Sequence, residues 1–429
     1  MFETRSRRNN IVEVVDSMMG TGKTTNILKW MDANPNNKYI YVSPLLSEVG
    51  EGCRVHKELK NVTLEIPNNV VSNKSDSLLS MLLAGDSIAC THSLYLSMRE
   101  PHFKAILDNE YIVVIDEEVD VIGGFDRYSS NDLKWLLQEG EIEISEVDGS
   151  VSWVGERELI KNGHKYSDFL QYCDSNSLYS SRRSASIMVT QLPIKLFECA
   201  KQVIILTYLF DGNVLDCFLK LKGFEVKKFK GVEVTPSNMQ EVRDLITVIP
   251  PTSKMEGYSL SSSWWKEASS KQINDVSNFI RTNARNYDLK GRDVLWTAPK
   301  NRSVSSSGNK NIVKPSGYIV DATDGTSCYL SATTRATNEY DHKRAMFHCY
   351  NRFPLVSISS YLQDYGHPVD LEVFATSELV QWLWRGCIRR GEPMIVGIAS
   401  KRMYGFFMNW LNNDLDEKNI LGGVDGLVG

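Results

Sequence analysis

The sequence predicts an α/β protein built from two parallel-sheet domains in tandem. Three observations carry that expectation. Runs of β-branched and aromatic residues alternate with stretches at helical spacing, the pattern of strands joined by crossover helices. A glycine-rich turn at residues 17–24 lies directly between the first such run and the first helical stretch. The 429 residues also exceed the roughly 250–300 at which a single hydrophobic core stops growing. A composition of 42% hydrophobic and 24% charged residues is that of a packed globular protein, which excludes fibrous and disordered classes.

The elements follow in order. Residues 11–15 (Ile-Val-Glu-Val-Val) read as a strand, the glycine turn as a loop, and residues 24–31 as a helix. Further strands are expected at 39–43, 88–91, 111–115 and 203–206. Residues from about 120 to 200 form a longer polar segment that interrupts the alternation and reads as an insertion. It contains a hairpin pattern over 142–154, turning at Asp148-Gly149. A second alternation begins near Leu245 and includes strand patterns at 294–297, 317–320, 328–331 and 394–398. The expected division is therefore 1–236, carrying the insertion, and 237–429, with the boundary within 234–241. Residues 303–311 read as a short flexible loop, and no repeat recurs at a fixed period.

Bulk properties narrow the function classes. No apolar run approaches the roughly 18 residues that span a bilayer, and the start (Met1, Phe2, Glu3, Thr4, Arg5) has no signal-like apolar stretch, so the expected location is the cytoplasm, the host's if the chain is viral. The eight cysteines are scattered without a C-x-x-C pair, which argues against a zinc ribbon, an iron–sulfur cluster or a disulfide framework. With a net charge of −5 there is no overall basic field, so any nucleic-acid contact must be a local groove of donors.

Residues 17–24, Ser-Met-Met-Gly-Thr-Gly-Lys-Thr, match the Walker A loop G-x-x-x-x-G-K-[ST], with Ser17 at the first glycine position. Gly20 and Gly22 let backbone N–H groups close around phosphates, Lys23 reaches the β and γ phosphates, and Thr24 offers its hydroxyl to magnesium. Ser17, Thr21 and Thr25 complete the expected ATP loop, and the opening helix adds its positive end. A plain glycine turn with an exposed lysine fits the same letters, but not as well the position between strand and helix.

About ninety residues on, Tyr111-Ile112-Val113-Val114-Ile115 runs into Asp116-Glu117-Glu118, an apolar strand ending in three carboxylates. This is the Walker B position: Asp116 holds magnesium through water, and Glu117 orients and deprotonates the attacking water. A solvated strand end would look similar in isolation.

Together the loop and the acidic box resemble those of superfamily 2 helicases, and the resemblance extends over most of the chain. It implies two RecA-like domains with an ATP cleft between them, and ATP and Mg²⁺ as cofactors. It also implies a single-stranded nucleic acid, DNA foremost, as partner, with replication proteins as candidate further partners. Tyr41-Val42-Ser43-Pro44 resembles the strand-end motif that touches the nucleic-acid backbone, with Ser43 and Pro44 as the contacts. Cys90-Thr91-His92-Ser93 resembles the later backbone-contacting motif, through Thr91 and His92. Leu206-Thr207-Tyr208 stands where the family has its Ser/Ala/Thr motif, with only the threonine kept. No glutamine occurs within residues 1–16, so the adenine-reading motif is absent.

In the second half, residues 334–340 (Thr334, Arg335, then Ala-Thr-Asn-Glu-Tyr) resemble an R-A-T-N segment of helicase-like ATPases encoded by bacteriophages and prophages, which implies nucleic-acid contact by Thr334 and Arg335. Residues 259–264 and Trp296-Thr297 resemble elements of the same group. Gln381, Arg385 and Arg389 resemble the last helicase motif, and on one continuous helix they would share a face and meet a triphosphate as catalytic residues. Taken by itself, the segment fits better an amphipathic helix with Leu383, Trp384 and Cys387 inward and a solvated arginine edge. Trp264-Trp265 and Trp382/Trp384 could stack bases or fill the core.

The expected function is thus an ATP-dependent helicase or translocase of phage replication or recombination, with Lys23 and Glu117 at its chemical centre. A DNA-packaging terminase motor shares the phosphate loop but should carry a nuclease domain with separated aspartates. A regulatory nucleotide switch should not need the intact Lys23, Thr24, Asp116 and Glu117 set.

Overall fold

The computed structural model describes residues 10–50, 52–70, 73–157, 160, 164–236, 238–303, 311–334 and 339–412. The chain divides into two compact units. The first comprises the chain as far as Asp16, then Lys23–Val234 and Pro354–Asp370; the second comprises Ser17–Gly22, Thr235–Phe353 and the chain from Leu371 on.

In the first unit, strands β1 (Ile11–Asp16), β2 (Tyr39–Ser43), β3 (Ile88–Thr91) and β4 (Ile112–Asp116) lie in one sheet. A three-stranded sheet follows, of β5 (Ile122–Gly124), β8 (Leu178–Ser180) and β9 (Met188–Gln191), with the hairpin β6 (Ile142–Ile144) and β7 (Val151–Trp153) between them in sequence. The chain then returns to the main sheet with β10 (Gln202–Thr207) and β11 (Glu225–Lys228), giving the order β11-β1-β10-β4-β2-β3 with every pairing parallel. Parallel strands are covered on both faces and so read as continuous apolar runs. Accordingly Val12, Val14, Ile40, Val42, Val113 and Ile115 enter one core cluster, and their alternating neighbours Val15, Tyr39, Tyr41, Ile112 and Val114 enter another, against Ile27, Leu28 and Met31 of the helix Lys23–Ala33.

The segment between β4 and β10 has its own small core around Phe125, Leu136, Trp153 and Phe169. Its hairpin turns at Gly149, where a φ of 74° favours glycine. The helix Val356–Asp364 belongs to this unit and closes over that segment: Arg183 forms a 2.7 Å ion pair with Asp364, and Ser181 donates to the same carboxylate.

The second unit holds a four-stranded parallel sheet of β12 (Ile246–Ile249), β13 (Val294–Thr297), β14 (Ala345–His348) and β15 (Met394–Ile398), ordered β12-β15-β14-β13. The two-sheet α/β class expected from the sequence is thus observed. Two expected strands are not: 317–320 and 328–331 make only isolated bridges, Val320 with Ser327 and Tyr329 with Trp296. β14 lacks the β-branched signal that would have announced it. No described helix is long and apolar enough to cross a membrane, and all eight cysteines are buried thiols.

Candidate functional site

Open parallel sheets place ligands at the carboxyl ends of their strands. In the first unit those ends carry Asp16 (β1), Ser43 (β2), Thr91 (β3), Asp116 (β4) and Thr207 (β10).

The loop Ser17–Gly22 leaves β1 and enters the helix Lys23–Ala33. Gly20 and Gly22 have φ of 83° and 86°, which side chains with a Cβ rarely adopt. The Ser17 and Thr21 hydroxyls lie 2.9 Å apart, and Thr21 donates to the Met18 carbonyl at 2.7 Å, bracing the turn from within. Thr25 accepts from Arg54 at 2.5 Å.

Lys23 and Thr24 open the helix beside the β4 carboxylates. Thr24 Oγ1 donates to Asp116 Oδ2 at 3.0 Å, and the Tyr41 hydroxyl donates to the same oxygen at 2.6 Å. Desolvation pushes Asp116 up to about 6, the Tyr41 hydrogen bond opposes it, and the Glu117 charge adds to the rise. Burial lowers the Lys23 ammonium to about 8, against the raising effect of Asp116, Asp16 and Glu117. Glu117 follows in a left-handed conformation, φ 64°, with its N–H bonded to the Leu206 carbonyl at 3.0 Å. Strain of that kind persists only where surroundings enforce it, and it clusters at functional sites.

Three ties were not legible beforehand. Glu118 Oε1 accepts from Thr207 at 2.7 Å and from Asn213 at 3.2 Å, so the third carboxylate holds the end of β10. Asp16 accepts from the N–H groups of Leu209 and Phe210, both at 2.9 Å, fixing a turn in which Leu209 has φ 59°. Tyr41 is the third, one of three hydroxyl residues in the strand Tyr39–Ser43, and nothing in the sequence singles it out.

Of the residues expected to meet nucleic acid, Ser43 is buried with its hydroxyl lacking a described partner, and Pro44 is half-buried. Thr91 caps the helix His92–Leu96 by accepting from Leu94 N–H, and the His92 Nε2 lies 3.0 Å from the Asp116 carbonyl oxygen. Both side chains are engaged inside the unit. Arg335 lies outside the described residues, as does most of the 303–311 loop.

The second unit corrects one expectation outright. Gln381, Arg385 and Arg389 do not share a helix face, because the helix Leu371–Leu383 stops before Arg385 and Arg389 falls in a separate 3-10 turn, Cys387–Arg390. The chain leaves the helix at Gly386, whose ψ of −170° is extended; a Cβ there would sit 2.6 Å from Met346 Sδ and 2.9 Å from Met394 Sδ, and Cys387 N–H bonds the Lys343 carbonyl at 2.9 Å. Arg385 is buried, Arg389 is exposed, and Gln381 donates to Ser377 Oγ at 2.8 Å.

Gln381 and Arg385 still share a small open hollow with Ala332, Thr333, Thr334, Glu378 and Trp382. Behind it Arg352 pairs with Glu378, and the His348 ring packs edge-on against Trp382 at 5.6 Å. Burial, with the Arg352 charge, pulls His348 down to about 3, which keeps it neutral. Trp265, Trp382 and Trp384 are buried and Trp264 half-buried, so three of the four tryptophans considered for stacking are core residues.

Comparison with known proteins agrees with this architecture. Residues 240–411 match the family described as the YonV C-terminal Rossmann-like domain. The chain is 29% identical over 423 residues to the SPbeta prophage-derived uncharacterized protein YonV of Bacillus subtilis (strain 168), covering 94% of this chain and 99% of that one. Among solved structures it is similar to the apo form of XPD, a superfamily 2 helicase, with a TM-score of 0.50 and 14% identity over 95% of this chain and 96% of that one. At that identity the likeness is one of fold alone.

Proposed function

We propose that the chain is a nucleic-acid-dependent ATPase of the helicase type, coupling hydrolysis to movement along a strand or to strand separation. Single-stranded DNA is its expected track, in phage replication or recombination. The observation that carries this reading is the meeting of Lys23, Thr24 and Asp116 at the ends of β1 and β4, with the Thr24 hydroxyl 3.0 Å from the Asp116 carboxylate. A Lys, a Thr and an Asp brought together from positions about ninety residues apart suit a nucleotide with its cation, because magnesium is held by few protein oxygens together with phosphates and waters.

In this reading the N–H groups around Gly20 and Gly22 cradle the phosphates and Lys23 balances their charge. The donor set fits the cation: a hydroxyl and a carboxylate bonded to each other, the latter held above its ordinary range by desolvation. Bound magnesium would draw charge from the phosphate oxygens. Glu117 orients and deprotonates the attacking water, and its enforced backbone fixes where its carboxylate begins. The donors of Thr333, Thr334, Gln381 and Arg385 in the second unit suit a phosphate group. A fold similar to that of XPD and a prophage-derived relative support the helicase type and the phage setting.

The test is the ATPase rate with single-stranded DNA, duplex DNA and RNA added in turn. Stimulation by one strand type that weakens with salt is expected. Hydrolysis indifferent to every nucleic acid would favour a nucleotide switch, and absence of hydrolysis would remove the reading.

A further inference from the structure

We propose that Tyr41 is a positioning residue for the cation-binding carboxylate: its hydroxyl fixes which oxygen of Asp116 is left to face the divalent ion that accompanies the nucleotide. The inference rests on the ATPase reading and concerns a residue that reading does not use.

Tyr41 sits in the middle of β2, fully buried, paired in register with Val114 of β4. Residues two apart in a strand share a face, so Asp116 projects to the same side as Val114. The Tyr41 ring packs in the cluster that contains Ile27, Leu28 and Val114, under the helix that starts at Lys23. From there its hydroxyl reaches Asp116 Oδ2 at 2.6 Å, the oxygen that also accepts from Thr24 at 3.0 Å. Two donors occupy Oδ2. The carboxylate cannot rotate without breaking both bonds, and Oδ1 is the oxygen left outside this pair. The same residue is tied through its main chain, where the Asp116 carbonyl meets His92 Nε2 at 3.0 Å.

A phenylalanine would fill the same space without a polar atom to desolvate, so the buried hydroxyl calls for a reason. Neighbouring buried tyrosines supply the contrast. Tyr39 donates to the Asn34 carbonyl at 2.9 Å and Tyr111 to the Asp86 carbonyl at 2.7 Å, main-chain acceptors that a structural role explains. Tyr41 instead spends its proton on the carboxylate at the strand end.

The test uses the full chain and a non-hydrolysable fluorescent ATP analogue, titrated with magnesium. In Tyr41→Phe, affinity for the analogue without magnesium should match wild type. The magnesium concentration giving half-maximal binding should rise roughly tenfold, the size of one hydrogen bond to a charged group. Tyr111→Phe controls for deleting a buried phenolic oxygen: it should lower the melting temperature and leave the magnesium requirement unchanged. An unchanged requirement in Tyr41→Phe overturns the proposal, and so does a Tyr41→Phe chain that fails to fold where Tyr111→Phe folds, since the hydroxyl is then structural. A wild-type chain that binds the analogue with no response to magnesium overturns the ATPase reading itself, an outcome distinct from a difference confined to the variant.

Discussion

The strand ends of the two units carry polar side chains of similar kinds but satisfy them to different degrees. In the first unit most are bonded within the unit, Thr24 and Tyr41 to Asp116, Thr207 and Asn213 to Glu118 and Asp16 to the turn after β10, with Ser43 of β2 the exception, its buried hydroxyl lacking a described partner. In the second unit, Thr297 at the end of β13, His348 at the end of β14, and Thr376 and Trp382 on the adjacent helix each bury a polar atom with no described hydrogen-bond partner. A satisfied network is rigid and preorganised, whereas each unsatisfied buried group costs about 1–3 kcal/mol and marks a place that rearranges or accepts a ligand. On the proposed function the chemistry would fall to the first set, and ligand accommodation to the second.

The largest effect that could break the comparison lies at Glu117. Glu117→Gln keeps the shape and removes the base, so turnover should fall by about 10²–10⁴ while nucleotide affinity stays near wild type. Equilibrium binding measured beside single-turnover hydrolysis separates the two. If affinity falls as steeply as rate, the carboxylate serves binding and the preorganised set is not the chemical one.

The arginines come next. Arg385 is buried and Arg389 exposed, so Arg385→Ala should cost about 1–3 kcal/mol of stability by stranding the groups around it, whereas Arg389→Ala should stay within about 0.5 kcal/mol of wild type. Denaturation and strand-stimulated ATPase, measured on both, then divide structure from function: lost stimulation in a fully stable Arg389→Ala places a functional contact on the exposed turn. Equal stability losses would show that burial does not distinguish the two positions.

This contrast also shows what the sequence could reveal. Strands β1, β2, β3, β4 and β10 were legible because a sheet covered on both faces demands unbroken apolar runs, and the loop at residues 17–22 because its glycines are required by backbone angles that few other residues adopt. β14, Ala-Met-Phe-His, is buried just as deeply but has no β-branched residue to announce it. Residues 381–389 have helical spacing, but the backbone turns extended at Gly386 and Cys387 N–H bonds the Lys343 carbonyl, a partner distant in sequence and invisible to periodicity. The Tyr41–Asp116 bond spans 75 positions and depends on the order of strands in the sheet, which no local pattern encodes.

A smaller effect sharpens the second half of the comparison. Thr297 and Thr376 are fully buried with hydroxyls that have no partner among the described residues, so Thr297→Val and Thr376→Val should each stabilise the protein by about 1 kcal/mol. Calorimetry on the nucleotide-free chain reads this directly. Destabilisation by either would mean that the hydroxyl already has a partner, and that the adjustable character assigned to this region is mistaken there.

The last effect concerns proton occupancy at Lys23. Its ammonium is lowered from 10.5 to about 8 chiefly by desolvation. Below that value the folded chain presents a charged lysine to the phosphates; above it the nucleotide must first restore the proton. Affinity for ATP should therefore be flat up to pH 8 and then weaken, approaching tenfold per pH unit while the bound complex keeps its proton. The sign for stability is the reverse. Because the folded pKa lies below the unfolded one, the unfolded chain binds the extra proton between about 8 and 10.5, so Lys23's contribution to the stability of the nucleotide-free chain rises with pH across that window. The two opposite slopes, one from fluorescence titration of ATP binding and one from denaturation, come from the same proton. Lys23→Arg should flatten both, since a guanidinium stays charged throughout. An affinity that holds steady to pH 9.5 in wild type would mean that Asp16, Asp116 and Glu117 keep the ammonium charged despite its burial, and that the first unit's network is more strongly anionic than its internal hydrogen bonds imply.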